Sequence, residues 1–167
     1  MSRDATPAAS GVLVLGVGNP IMGDDGVGQR LLEVLAARVP ALAGVEFLDA
    51  GTLGLMLLPQ VERCGALLAL DAAQLGAAPG DVRVFEGDAF DGFLKSARSS
   101  VHELGLRDLV DAARLTGSLP QRRALVGVQP AQIGWGTNLS PPVAAAVPAA
   151  VEAARQVLER WTAAGQG

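Results

Sequence analysis

The sequence predicts a three-layer α/β/α domain with a mostly parallel, twisted sheet of five or slightly more strands. Short, almost entirely apolar runs recur along the chain, and helical patterns alternate with them. Strands without polar alternation are typical of parallel sheets that helices cover on both faces. A length of 167 residues fits one domain, predicted over residues 11–162, with flexible tails at 1–10 and 163–167.

The first predicted unit is a strand, a glycine-rich turn and a helix. Residues 11–18 form an apolar strand, and apolar residues spaced four apart from Val27 to Val39 predict the helix. Asp24 or Asp25 is suited to cap the start of that helix, because a carboxylate oxygen accepts hydrogen bonds from free backbone amides.

Four more strands and three more helices are predicted along the rest of the chain. The strands occupy residues 45–52, 66–73, 79–87 and 123–130. The helices occupy residues 53–63, with an interruption at Pro59, residues 100–117, and a segment that begins at Ser140 and Pro141. The fourth strand alternates apolar and polar residues more clearly than the others, which predicts a place nearer the edge of the sheet.

Composition excludes several classes of protein. A net charge of −4 disfavours nucleic acid as a partner. The single cysteine, Cys64, cannot form an internal disulfide, which predicts a cytoplasmic protein. No apolar run approaches a membrane span and the first residues lack an apolar signal core, so no membrane insertion is expected. No helix shows an apolar stripe beyond the needs of a core, which favours a monomer.

Acidic residues follow the first three predicted strands. Asp24 and Asp25 lie in the loop after the first strand, Asp49 ends the second and Asp71 ends the third. His102, the only histidine, lies in the first turn of the helix after the fourth strand. Because ligands of such folds bind outside the carboxyl ends of the strands, these side chains are expected to converge there.

Each of these residues also has a purely structural interpretation. Asp25 could cap a helix, and Asp49 and Asp71 could each form an Asx turn. Taken together, however, carboxylates and one imidazole form a ligand set that suits a divalent ion such as Zn²⁺ or Ni²⁺.

Two other kinds of site are disfavoured. Gly16 and Gly18 match the start of a dinucleotide-binding motif, but Ile21 occupies the third glycine position and the acids that follow would repel a pyrophosphate. Cys64 precedes a strand at the edge opposite His102, so a catalytic Cys–His pair is not expected.

Five motifs occur in order over residues 12–158: GVGNPIMGDDGVG, DAGT, LLALDA, SVHELGL and LVGVQP. Together they resemble the hydrogenase maturation endopeptidases. The resemblance implies an aspartyl-type endopeptidase that removes a short C-terminal extension from the precursor of the large subunit of a nickel–iron hydrogenase, after nickel has been inserted. That precursor is the implied partner.

The resemblance also implies the residues of the site. Asp25, Asp71 and His102 correspond to the family's metal-contacting residues, and Asp25 and Asp71 are the implied catalytic acids. The resemblance implies that the metal is nickel carried by the substrate, and other divalent ions such as zinc or cadmium are expected to suit the same ligands.

Asp49, Gly51 and Thr52 correspond to the family's substrate-recognition turn. Two departures from the family pattern stand out: Asp25 replaces a frequent glutamate, and Ala50 replaces a frequent glycine. If the position of Ala50 requires a positive φ, the alanine is strained there.

Several alternatives remain open from the sequence. Either the metal or a carboxylate could activate the attacking water. A non-enzymatic nickel-binding chaperone of hydrogenase assembly could use the same three ligands, and a generic ligand-binding domain would use the acids only as caps. Trp135, in the loop 129–140, could either pack inward or contact the substrate.

Overall fold

The computed structural model describes residues 10–39, 42–96 and 101–164, without the side chains of residues 101–104. The strands in these ranges are β1 (Val12–Val17), β2 (Val45–Gly51), β3 (Ala66–Ala72), β4 (Val82–Glu86) and β5 (Arg122–Val128). The α-helices are α1 (Val27–Arg38), α2 (Leu58–Arg63), α3 (Asp88–Ser96), α4 (Val101–Leu115) and α5 (Pro141–Ala164). Short 3-10 turns at Asp24–Gly26 and Gly54–Leu57 precede α1 and α2.

The five strands form one sheet in the order β2-β1-β3-β5-β4. β2, β1, β3 and β5 are parallel, whereas β4 is antiparallel to β5 and lies at the edge. The predicted fold class is therefore confirmed, as is the edge position of the fourth strand. Because four strands are parallel, the loops that follow them emerge at the same edge of the sheet.

Alternate side chains of the strands enter two opposite cores. Val12 and Val14 of β1 pack in the core that α1 and α5 cover. Leu13 and Leu15 pack on the other face, against α2 and α4. This period of two follows from the pleat of the strand and explains why the strands are apolar throughout.

Three details differ from the sequence prediction. Pro59 does not interrupt its helix but lies in the first turn of α2, where a missing amide proton costs nothing. Helix α3 was not predicted: Phe90, Phe93 and Leu94 have helical spacing, but the helix is only nine residues long and contains Gly92, which weakens the helical signal. Strand β5 ends at Val128, two residues earlier than predicted.

Some predicted features lie partly outside the described residues. Residue 100, the predicted start of α4, lies outside the described residues, and so do most residues of both predicted tails. The division into a domain and two tails therefore stays a prediction. Within the described ranges, no helix combines the length and apolar content that a membrane span requires.

The start of α1 touches the backbone of two strands at Gly28. A Cβ atom at this position would lie 2.1 Å from the carbonyl oxygen of Val17 and 2.4 Å from that of Leu70. Real Cβ contacts are not this short, so only glycine lets the helix approach β1 and β3 so closely. This contact sets the position of the loop between β1 and α1.

We expect Gly28→Ala to lower the free energy of unfolding by about 2–3 kcal/mol, because the methyl group displaces the helix from both strands. Gly92→Ala in α3 is the matched control, since its Cβ would meet no atom within 4 Å. The control is expected to be neutral or stabilising by up to about 1 kcal/mol. Urea denaturation measures both, and equal stabilities would contradict the role assigned to Gly28.

Candidate active site

The candidate site lies where β1, β2 and β3 end. Asp71 is the penultimate residue of β3 and is only 2% exposed. Asp25 follows β1 in the 3-10 turn, which packs against β3, and is also 2% exposed. The structure thus brings two buried carboxylates, from separate parts of the sequence, to the same edge of the sheet, as the sequence predicted.

The loop after β1 depends on a glycine beside Asp25. Gly18 has φ +122°, and a Cβ atom there would lie 2.0 Å from the carbonyl oxygen of Asp25. The next amide, of Asn19, donates a 2.8 Å hydrogen bond to Oδ2 of Asp25. The loop therefore folds back on its own turn and fixes the carboxylate of Asp25.

The predicted recognition turn lies beside this loop. Oδ1 of exposed Asp49 accepts a 2.9 Å hydrogen bond from the amide of Gly51, which is an Asx turn. The side chain of Gln29 donates to the same oxygen at 3.4 Å and to the carbonyl oxygen of Gly18 at 2.5 Å. Gln29, which the sequence analysis did not single out, thus connects the first loop to the recognition turn.

Ala50 is not strained in this turn. The positive φ is taken by Gly51, at +51°, and no non-glycine residue in the described part of the chain has a positive φ. Ala50 is buried, whereas Thr52 is exposed. The replacement of glycine by alanine is therefore compatible with the shape of the turn.

The prediction that Asp24 or Asp25 caps α1 was wrong. Among the described residues, Gly26 is the N-cap of α1 and no side chain makes a capping hydrogen bond there. The reason is that both acids lie in the intervening 3-10 turn, ahead of the N-cap position that Gly26 occupies.

Asp24 instead binds the loop that follows β5. Its carboxylate is fully buried and accepts hydrogen bonds from the amides of Ala131 and Gln132, both at 2.9 Å. It also accepts from the amide and the hydroxyl of Ser140, both at 2.7 Å. Burial acts to raise the pKa of Asp24, but the four hydrogen bonds outweigh it and hold the pKa below its ordinary value.

The loop after β5, which Asp24 binds, has exposed apolar side chains. Trp135 is 86% exposed, so its indole does not pack inward as one sequence-based alternative required. Ile133 and Ile21 are also exposed, and the amide of Gly136 donates to the carbonyl oxygen of Ile21. The two loops therefore form one surface at the edge of the site.

His102 lies in the first turn of α4, but its side chain is outside the described residues. Among the side chains that are described, no three His, Cys, Asp or Glu residues are grouped to hold a metal ion. The set of Asp25, Asp71 and His102 therefore remains a prediction.

Cys64 is a structural residue. It is buried at the end of α2, two residues before β3, and its thiol donates a 3.2 Å hydrogen bond to the carbonyl oxygen of Val61. Burial raises the pKa of the thiol to about 11, so the reactive thiolate is disfavoured. Cys64 thus packs as a small apolar side chain in the core between the sheet, α2 and α4.

The fold is that of a known class of endopeptidases. The structure matches the hydrogenase maturating endopeptidase HybD from E. coli with a TM-score of 0.83 and 33% identity, covering 90% of this chain and 93% of that one. It matches the NiFe hydrogenase maturation protease HybD from Thermococcus kodakarensis with a TM-score of 0.74 and 29% identity, covering 88% and 98%.

Sequence comparison identifies the family. A model of the hydrogenase maturation protease family matches residues 29–157. The hydrogenase expression/formation protein HupD of Rhizobium leguminosarum bv. viciae is 36% identical over 93% of this chain and 77% of its own length. The hydrogenase 2 maturation protease of Escherichia coli K12 is 35% identical, over 84% and 86%. The chain therefore belongs to the hydrogenase maturation protease family and is a peptidase, as its motifs predicted.

We expect Asp24→Asn to lower the free energy of unfolding at pH 7 by about 3 kcal/mol, because an amide cannot replace a charged acceptor of four hydrogen bonds. The folded-state pKa of Asp24 lies below 3.8, so its contribution is complete above that pH and is lost as the pH falls through the lowered value. Denaturant titrations of both proteins between pH 7 and pH 2 should show the difference shrinking. A difference that stays constant with pH would contradict this role.

Proposed function

We propose that the protein removes a short C-terminal extension from the nickel-loaded precursor of the large subunit of a nickel–iron hydrogenase. The observation that carries this is the pair of buried carboxylates, Asp25 and Asp71, at the ligand-binding edge of a chain of the hydrogenase maturation protease family. Carboxylate oxygens from two separate segments at one edge of the sheet are ligands that a divalent cation takes in proteins.

In this proposal nickel arrives with the substrate. Asp25 and Asp71 contact the ion together with His102. His102 lies in the first turn of α4, and this helix packs beside the turn at Gly54–Leu57. Zinc or cadmium would suit the same oxygen and nitrogen ligands. Docking the metal fixes the position of the neighbouring peptide bond, so the bond is selected by proximity.

Asp25 and Asp71 are also the proposed catalytic acids. A carboxylate close to another carboxylate can accept a proton from water at neutral pH, which makes either residue suited to general-base work. The alternative role, in which the metal polarises the scissile carbonyl, uses the same residues as ligands. Asp49, Gly51 and Thr52 are proposed to receive the substrate's chain beside them. The proposed state is a monomer in the cytoplasm.

The activity is tested by mixing the protein with nickel-loaded and nickel-free precursor and measuring intact masses. Loss of a C-terminal peptide from the loaded form alone is the expected result. Binding of the loaded precursor without loss of mass would instead support a nickel-binding chaperone, and neither effect would favour a generic ligand-binding domain.

We expect Asp25→Asn, Asp71→Asn and His102→Ala each to lower the rate of precursor cleavage by at least about a hundredfold while the protein stays folded. Asp88→Asn is the control, because Asp88 is exposed at the start of α3, away from the site. Circular dichroism checks the fold. Full processing by Asp71→Asn would refute the proposed roles.

We expect Trp135→Ala to weaken precursor binding at least fivefold without lowering the free energy of unfolding, because the exposed indole packs on little of its own chain. Trp161→Phe is the contrasting variant, since Trp161 is buried in the core and its change should affect stability instead. Calorimetric titration and denaturation measure the two effects. Unchanged affinity would show that the precursor does not touch Trp135.

A further inference from the structure

A cavity of about 250 Å³ lies beside the candidate site, between the ends of β1 and β2 on one side and α4 on the other. Nine of its ten lining residues are apolar or glycine, and the tenth is Thr52 of the recognition turn. The lining consists of Leu15, Val17, Ala50, Gly51, Thr52, Gly54, Leu57, Gly105, Leu106 and Leu109. Among the side chains that the structure describes, no charged group lines it, so it suits an apolar group.

Two lining residues of the cavity lie close in the sequence to residues of the proposed active site. Val17, on its wall, is followed directly by Gly18 and by Asn19, whose amide binds the carboxylate of Asp25. On α4, Gly105 follows His102 by three residues, which is less than one helical turn. The same strand end and the same helix therefore contribute to both.

Small residues keep the cavity open. The backbones of Gly54 and Gly105 face each other, and a Cβ atom on Gly54 would come within 3.3 Å of the Cα atom of Gly105. Any side chain at either position would project into this contact at the wall of the cavity. Ala50, buried on the opposite side, also has a side chain of only one carbon.

Exposed apolar side chains flank the same segment. Leu53, Leu55 and Met56 are 49%, 54% and 73% exposed, and they lie in or beside the turn that lines the cavity. Clusters of exposed apolar side chains mark surfaces that other chains cover. Their position next to Thr52 connects the cavity with the surface on which the substrate is proposed to lie.

We propose that this cavity is a specificity subsite that binds one apolar side chain of the precursor's tail, close to the bond that is cleaved. The inference rests on the proposed function. Its volume lies below the range of about 300–1,000 Å³ typical of pockets for drug-sized ligands, which suits a single side chain. The walls of the cavity are apolar, and they include Thr52 of the recognition turn. For these two reasons we expect the occupant to come from the substrate's chain.

The first test uses the substrate. Each residue within four positions of the cleavage site in nickel-loaded precursor is replaced singly by Asp, and kcat/KM is measured with the wild-type enzyme. At one apolar position, we expect the change to Asp to lower kcat/KM by about ten- to hundredfold. This factor corresponds to the free energy gained when an aliphatic side chain is buried. Tolerance of Asp at every apolar position would overturn the inference.

The second test uses the enzyme. Gly105→Ala adds a methyl group that would lie 3.6 Å from the Cα atom of Gly54, an ordinary contact, so the protein is expected to fold. We compare kcat/KM for a precursor with Phe at the selected position with kcat/KM for a precursor with Ala there. Gly105→Ala should lower this Phe-to-Ala ratio about tenfold. Gly92→Ala, the same change at an exposed position of α3 where the methyl group meets no atom within 4 Å, should leave that ratio unchanged.

The outcomes separate the subsite from the proposed function. If wild-type protein leaves the nickel-loaded precursor at full mass, the proposed function is wrong and the subsite has no substrate. If cleavage is normal but Gly105→Ala and Gly92→Ala give the same Phe-to-Ala ratio, the function stands and the subsite is refuted.

Discussion

The carboxylate of Asp24 is the interaction on which the site depends. It is fully buried and accepts four hydrogen bonds from a loop that is more than a hundred residues away in the sequence. A buried charge is tolerable only when its acceptor positions are filled, so the loop after β5 and the loop after β1 can be stable only together. In a 3-10 turn, successive side chains diverge by about 120°, and Asp25 therefore points away from the partners of Asp24. The two adjacent acids therefore have different partners: Asp24 accepts from the loop after β5, and Asp25 accepts from the amide of Asn19.

Close backbone contact is the second constraint on the site. Gly28 brings α1 against the carbonyl oxygens of β1 and β3, and Gly18 lets the first loop pass over the carbonyl oxygen of Asp25. Neither contact leaves room for a side chain, so the position of Asp25 relative to β3 is set by main-chain atoms. Main-chain positions vary less than side-chain rotamers, which gives the carboxylate of Asp25 a defined place.

Most of the fold could be predicted from the sequence because its signals are local. Strands such as β1 and β3 are buried on both faces and contain almost nothing but apolar residues, and their ends identify Asp25 and Asp71 as neighbours. The partners of Asp24 could not be predicted, since the capping pattern is local whereas its real partners follow β5. The cavity could not be predicted from the sequence either, because its walls come from β1, β2 and α4. The spacing of these elements depends on the contact between Gly54 and Gly105.

The exposure of Trp135 also gives the molecule a built-in spectroscopic probe. The chain contains two tryptophans and no tyrosine, so its near-ultraviolet emission comes from Trp135 and Trp161 alone. Trp161, on the buried face of α5, is 8% exposed, whereas Trp135 is 86% exposed beside the candidate site. A soluble quencher therefore reaches one indole and not the other. The quenchable part of the emission reports on the loop at the site, and the protected part reports on the integrity of the fold.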